Sequence, residues 1–599
     1  MLIPVAALAL APQSHAEELY EKSEHHVRMR DGVELYTAVY VPREREGPLP
    51  VLLRRTPYSC RPYGPDAYPE RIGPSDAAME HGFIVVLQDV RGRWMSDGTW
   101  DNMRPHVPGD RAIDESSDTY DTIEWLLGHV DGHSGRVGMW GISYPGFYCV
   151  AALPEAHPAL VAVVPQAPVA DFYFDDFHKR GAFVLAYLTA TPTWGVQKSG
   201  RWSERWYDRV PTRGEDAYAF FLELGPLRNV RALLGDENYF WGQLVAHPDY
   251  DDFWRARSIL PHLGDVGTAV LVVGGWYDAE DLYGPLQIHR ALERGNPGLD
   301  CSLVMGPWGH GDWARRVGQR QVIGDLDFGP GLAEFYAREI ELPWLVHQLE
   351  DGPDPELPEA LVYDTGRRDW RRFDAWPPRA AKSTTLHLRA GGRLDASAPA
   401  PSEEASTAFR SDPADPVPYR EHAEFRFTPR PYMAEDQAFA AERDDVLVFM
   451  TEPLESDMTL AGDLTARLVV STTGTAADWV VKLVDVHPPG EDGAAMHEMV
   501  RSEAIRGRYR EGFDAPKPFV ADEQTAVDLP LQGVLHTFRA GHRLAIHVQS
   551  TWFPLIDRNP QTYVPNVFLA NEDDFAAQTH RVHHAPEAAS TLEVLVLGD

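Results

Sequence analysis

The chain has 599 residues and sets 55 Lys and Arg against 90 Asp and Glu, a formal charge of −35 with histidine neutral. A surface this acidic repels phosphate backbones and anionic lipid, which argues against nucleic acid and membrane surfaces as partners. Hydrophobic residues at 44% and charged residues at 24% give an ordinary globular balance with ample core, so wholesale disorder is excluded.

The first sixteen residues, MLIPVAALALAPQSHA, hold a short apolar run from Leu2 to Leu10 and a small-x-small site at Ser14-His15-Ala16. That pattern reads as a signal peptide over 1–16, although the usual basic residue near Met1 is absent. A periplasmic or secreted protein is expected; a cytoplasmic one follows if the run is structural. No other stretch approaches the roughly 18 to 20 apolar residues that span a bilayer.

From Glu24 the text turns to strands. VRMRDGVELYTAVYVP alternates around an Asp31-Gly32 turn, a hairpin signal. Buried-strand runs follow: VLLRR (51–55), FIVVLQDV (83–90), RVGMW (136–140), LVAVVPQAP (160–168), AVLVVGG (269–275) and SLVMG (302–306). Helix-like stretches such as YDTIEWLLGHV and YGPLQIHRALERG lie between them, so a mostly parallel sheet covered on both faces is expected over 17–170 and 259–355. Between these halves, 171–258 is rich in aromatics and charge and reads as a helical insertion above the carboxyl ends of the strands. From 356 to 599 the helices fade, and alternating strands separated by Pro, Gly and Asp predict an all-β sandwich or jelly roll. Three cysteines (Cys60, Cys149, Cys301) make no disulfide framework, and no CxxC spacing points to zinc or redox chemistry.

The most informative segment runs from Arg136 to Phe147, where a buried strand enters Gly141-Ile142-Ser143-Tyr144-Pro145-Gly146. This is the context of a nucleophile elbow, a tight turn that lifts a serine hydroxyl above the sheet. The common G-x-S-x-G spacing is not met, because Pro145 takes the place of the last glycine. A serine needs a base, and the base needs an orienting acid; on such a sheet they follow in the order Ser, Asp or Glu, His. Asp278 follows AVLVVGG and His310 follows SLVMG. Among 24 histidines, His310 stands out because it follows a strand in the right order. Asp278, Glu280 and Asp281 compete for the orienting role on spacing, with Asp278 nearest the strand end.

These segments resemble the signatures of the cocaine esterase, X-Pro dipeptidyl-peptidase and α-amino acid ester hydrolase (CocE/NonD) group. Besides the elbow they include Gly275-Trp276-Tyr277-Asp278, Gly306-Pro307-Trp308-Gly309-His310, Arg55-Thr56-Pro57-Tyr58 and Asp89-Val90-Arg91-Gly92-Arg93. Asp557-Arg558-Asn559-Pro560 with Tyr563-Val564-Pro565-Asn566 is similar to the ester hydrolase branch. The resemblance spans nearly the whole chain and implies an α/β-hydrolase core, an inserted helical cap and a C-terminal jelly roll. It accounts for the odd elbow, since the group carries G-x-S-Y-x-G. It also implies an oxyanion hole from the Tyr144 backbone N–H and the Tyr58 phenol, and oligomers, tetramers among them. Finally, it implies that Asp176, Glu280 and Asp281 bind a substrate ammonium, with the adjacent Asp175 equally able.

The expectation is a serine hydrolase for α-amino acid esters, able also to pass the acyl group to an amine. Alternatives on the same triad are a cephalosporin or glutaryl acylase, an aromatic esterase and an X-Pro dipeptidase. A glutaryl group would be repelled by Glu280 and Asp281. The remaining alternative is a carbohydrate-binding jelly-roll protein with an inert hydrolase half. No cofactor or metal is expected, because Asp278-Ala279-Glu280-Asp281 lacks the spacing of a calcium loop.

Overall fold

Ten strands make one mixed sheet in the order β1-β2-β4-β3-β5-β6-β7-β8-β9-β10. They are β1 (Tyr20–Arg28), β2 (Glu34–Pro42), β3 (Leu49–Thr56), β4 (Ile84–Asp89), β5 (His133–Ile142), β6 (Leu160–Gln166), β7 (Ala269–Gly275), β8 (Cys301–Gly306), β9 (Ala360–Asp364) and β10 (Asp369–Phe373). The computed structural model describes residues 14–44, 46–109, 111–208, 210, 212, 214, 216–425, 430–490 and 493–598. β4, β7 and β8 are buried along their whole length, which their continuous apolar runs require, because a parallel sheet is covered on both faces. Pairing is parallel from β4 through β3, β5, β6, β7 and β8 to β9. β1, β2 and β10 close the edges antiparallel. The expected hairpin turn is present, with Gly32 at φ +87° between β1 and β2.

Three helices bear on the site: α1 (Glu115–His129), α2 (Tyr144–Ala151) and α3 (Tyr283–Gly295). α1 begins with a capping box in which Asp114 accepts from Ser117 N–H and the Ser117 side chain answers the Asp114 backbone. The insertion between β6 and β7 is mainly short helices, among them Ala217–Leu224 and Tyr239–Ala246. It also holds a small hairpin, His178–Lys179 with Ala182–Phe183, that periodicity gave no sign of. Its aromatics share one core with the sheet.

Two strands past the expected boundary at 356 extend the first sheet. Ala360–Asp364 pairs in parallel with β8, and Asp369–Phe373 pairs with it in turn, so the first sheet runs to Phe373. Alternation identifies a strand but not the sheet that receives it. Beyond Phe373 the chain forms an all-β domain around the long strands Met458–Thr472 and Thr525–Phe538, with its own apolar core.

The apolar run Leu2–Leu10 lies outside the described residues. Of the small-x-small site, Ser14 caps a helix over His15–Leu19 and Ala16 is fully buried.

Candidate active site

Ser143 stands between β5 and α2 with φ +70° and ψ −132°, a conformation L-residues rarely adopt. Two glycines make room for it. A Cβ on Gly141 would lie 2.3 Å from the Pro145 carbonyl oxygen, and one on Gly146 would lie 2.7 Å from that of Gln166. Pro145 is tolerated because it falls in the first turn of α2, where an N–H has no partner within the helix. Tyr144 opens that helix, so its N–H is likewise uncommitted and can meet an oxyanion. Its phenol is held against the Met103 backbone, accepting from Met103 N–H at 2.5 Å.

His310 Nδ1 lies 2.9 and 3.1 Å from the two oxygens of Asp278. An ionised carboxylate can only accept, so Nδ1 carries the proton and Nε2 is the free base. Burial pushes the Asp278 carboxyl up, but His310 and the backbone amides of Glu280 and Asp281 outweigh it and hold it below its usual range. Burial pulls the His310 imidazole down, yet Asp278 and Glu280 overcome that and raise it. Ser143 and His310 line one cavity of about 490 Å³. Among the described residues no hydrogen bond joins them, and Nε2 lies 3.5 Å from Glu280 Oε2 instead.

Tyr58 lines the same cavity. Burial raises its phenol, the carboxylates of Asp176, Asp281 and Glu280 add to this, and the neighbouring Ser143 hydroxyl opposes it, so the group stays a neutral donor. Its loop is fixed by Asp89, whose carboxylate accepts from Cys60 N–H and the Tyr63 hydroxyl, each at 2.8 Å. Arg55 is structural: it pairs with Glu115 at 3.0 Å and donates to Gln88.

The acidic residues divide. Asp175 accepts three backbone N–H groups, from Ala170 at 2.7 Å, Asp171 at 3.0 Å and Gly284 at 2.7 Å, and so ties the start of the cap to α3. Asp176 is buried without such a set, and burial, Asp175, Glu280 and Asp278 push it well up. Asp281 is fully buried, and neither carboxylate oxygen has a hydrogen-bond partner. Burial raises it too, followed by the charges of Asp176, Asp175, Asp278 and Glu280. Glu280 meets Arg430, whose Nε and Nη2 are each 3.1 Å from Oε1. Sequence reasoning missed Arg430, which also donates to the His310 carbonyl at 3.2 Å. It missed Arg54, Arg71 and Arg315 as well, all of which line the cavity.

A strand–serine–helix turn, then a strand-end acid and a strand-end histidine, on a sheet of this order, define a serine hydrolase of α/β-hydrolase fold. Comparison with known proteins narrows the class. Residues 31–312 match the model of the X-Pro dipeptidyl-peptidase (S15 family), and 355–593 match that of the X-Pro dipeptidyl-peptidase C-terminal non-catalytic domain. The chain is similar to cocaine esterase of Rhodococcus sp. (strain MB1 Bresler), 29% identical over 606 residues, covering 95% of this chain and 97% of that protein. Two solved structures superpose with a TM-score of 0.90 at 34% identity, covering 100% of this chain and 99% of theirs. One is an aminopeptidase from the marine sediment archaeon Thaumarchaeota archaeon, the other an α-amino acid ester hydrolase. The chain belongs to the cocaine esterase and X-Pro dipeptidyl-peptidase (CocE/NonD) family of serine hydrolases.

Proposed function

We propose that this hydrolase acts on α-aminoacyl esters and amides, reading the protonated amino group with Asp176, Glu280 and Asp281. The observation that carries this is Asp281, a buried carboxylate with neither oxygen hydrogen-bonded, two residues from Ala279 and three from the acid of the triad. A buried, unsatisfied carboxylate is costly, and a substrate ammonium is the cation that would relieve it. The 34% identity to an α-amino acid ester hydrolase and to an aminopeptidase supports the same substrate class.

In this reading Ser143 Oγ attacks the acyl carbonyl while His310 Nε2 takes its proton and Asp278 holds Nδ1–H. The Tyr144 N–H and Tyr58 hydroxyl receive the oxyanion. The C–O or C–N bond breaks, and the alcohol or amine leaves with the proton from Nε2. Water, deprotonated by the same nitrogen, then frees the amino acid; an amine in place of water receives the acyl group. The test is a pair of substrates, phenylglycine methyl ester and its des-amino analogue. A large preference in kcat/KM for the amino ester is expected, and equal use of both overturns the reading.

A further inference from the structure

Four arginines, Arg54, Arg71, Arg315 and Arg430, line the cavity that holds Ser143 and His310, in a protein of net charge −35. Two are neutralised where they stand. Arg71 forms a two-point pair with Asp76, at 2.6 and 3.1 Å, and Arg430 pairs with Glu280. The other two are not. Arg54 extends from β3 over the face of Trp140, 4.9 Å from the ring centroid, and its buried Nε has no hydrogen-bond partner. Among the described residues no carboxylate pairs with it, and the Arg315 charge repels it. Arg315 gives Nη1 to the His310 carbonyl at 2.8 Å and likewise forms no ion pair among the described residues.

A guanidinium in an apolar recess without a counter-ion is expensive. Here the recess walls include Ile72, Leu87, Trp140 and Ile142. Two guanidinium groups lining one cavity, neither in an ion pair among the described residues, call for an anion, and arginine forks match a carboxylate in two-point geometry. Burial pulls both guanidinium groups below their usual range, and each has a neighbouring arginine that adds to this, Arg315 for Arg54 and Arg430 for Arg315. The cavity therefore has poles of both signs: Glu280 with the acidic residues beside it, and Arg54 with Arg315.

We propose that Arg54 and Arg315 form a subsite for a carboxylate on the leaving group, so that the preferred substrates are zwitterions of which a dipeptide is the simplest. This rests on the aminoacyl reading for the other pole. With the ammonium at the carboxylates and the scissile carbonyl at Ser143, a leaving group that is itself an amino acid places its carboxylate toward the arginines. A cavity of about 490 Å³ suits a molecule of that size.

The test compares the phenylglycyl esters of glycolate and of glycolamide, which are alike in size and differ by one charge. Wild type should favour the glycolate ester in kcat/KM by roughly 10- to 100-fold at low salt, as for a desolvated charge pair. In Arg54→Gln that ratio should fall toward one, and Arg54→Lys should restore part of it. Because the ratio is taken within each variant, loss of folded enzyme cancels. A wild-type ratio at or below one, or an unchanged ratio in Arg54→Gln, overturns the subsite. The phenylacetyl esters of the same two alcohols separate this from the aminoacyl reading. If amino esters prove no better than des-amino ones while both pairs keep the preference for glycolate, the ammonium site fails and the arginine subsite stands.

Discussion

The Nε2 of His310 lies 3.5 Å from the Oε2 of Glu280, so the nitrogen proposed to take the serine proton faces a carboxylate of the acidic pole. The two functions of the site are thereby coupled. Glu280 contributes to the raised imidazole of His310, second only to Asp278 among the groups that raise it. The base works when neutral, so the acid limb of kcat/KM should lie above the ordinary histidine value. Glu280→Gln removes one cause of that rise and should move the limb to lower pH. A des-amino ester is the substrate of choice, because its own charge does not change. An unmoved limb would show that the carboxylate is silent toward the base.

Ser143→Ala should lower ester hydrolysis by on the order of 10⁶-fold and abolish labelling by a fluorophosphonate while leaving the fold intact. The glycines that admit the strained turn remain, and alanine fits where serine did. Activity within about tenfold of wild type, with contamination excluded, would remove the elbow from the mechanism.

Ammonium binding should release protons. Burial and mutual repulsion raise Asp176 and Asp281, so the empty site keeps protons at a pH where an ordinary carboxyl has lost them. A bound cation favours the ionised forms and lowers those pKa values, which expels protons to the buffer. Calorimetric titration of Ser143→Ala with phenylglycine amide, in two buffers of different ionisation enthalpy, measures the effect. A heat that does not depend on the buffer would count against the cluster as the ammonium site.

Arg506 should be indispensable to stability. It is buried between Asp478, at 3.0 Å, and Asp557, at 2.7 Å, while Asp557 also accepts from Phe183 N–H in the cap hairpin at 2.9 Å. Arg506→Met strands two buried carboxylates and should cost about 3 to 5 kcal/mol. Urea unfolding, compared with an exposed control such as Arg205→Met, reads this directly. A loss below about 1 kcal/mol would mean that the aspartates find protons or water at little cost.

Much of this was legible in the text because it is local. β7 and α3 occupy the residues their apolar patterns mark, and the order of elbow, acid and histidine places all three at strand ends. What was hidden depends on neighbours distant in sequence. Arg54 and Arg55 look alike as letters, yet alternation along β3 sends one to Trp140 and the cavity and the other to Glu115. Asp175 and Asp176 are adjacent too, and only the π-helical turn over Tyr173–Phe177 decides which meets the amides of Ala170 and Gly284. Arg430 reaches His310 across 120 residues of chain, a contact no spacing announces.

The C-terminal half matches a domain described as non-catalytic, yet it grips both loops that carry the histidine and its acid. Arg501 donates to the Trp276 carbonyl at 2.8 Å, two residues before Asp278, and Arg430 spans Glu280 and the His310 carbonyl. Neither domain is therefore a free module. Exchange of the β-domain between homologues would carry Arg430 and Arg501 away from the loops they brace, so a working chimera must bring an arginine at each of these positions and keep a carboxylate at 280 to meet the first of them.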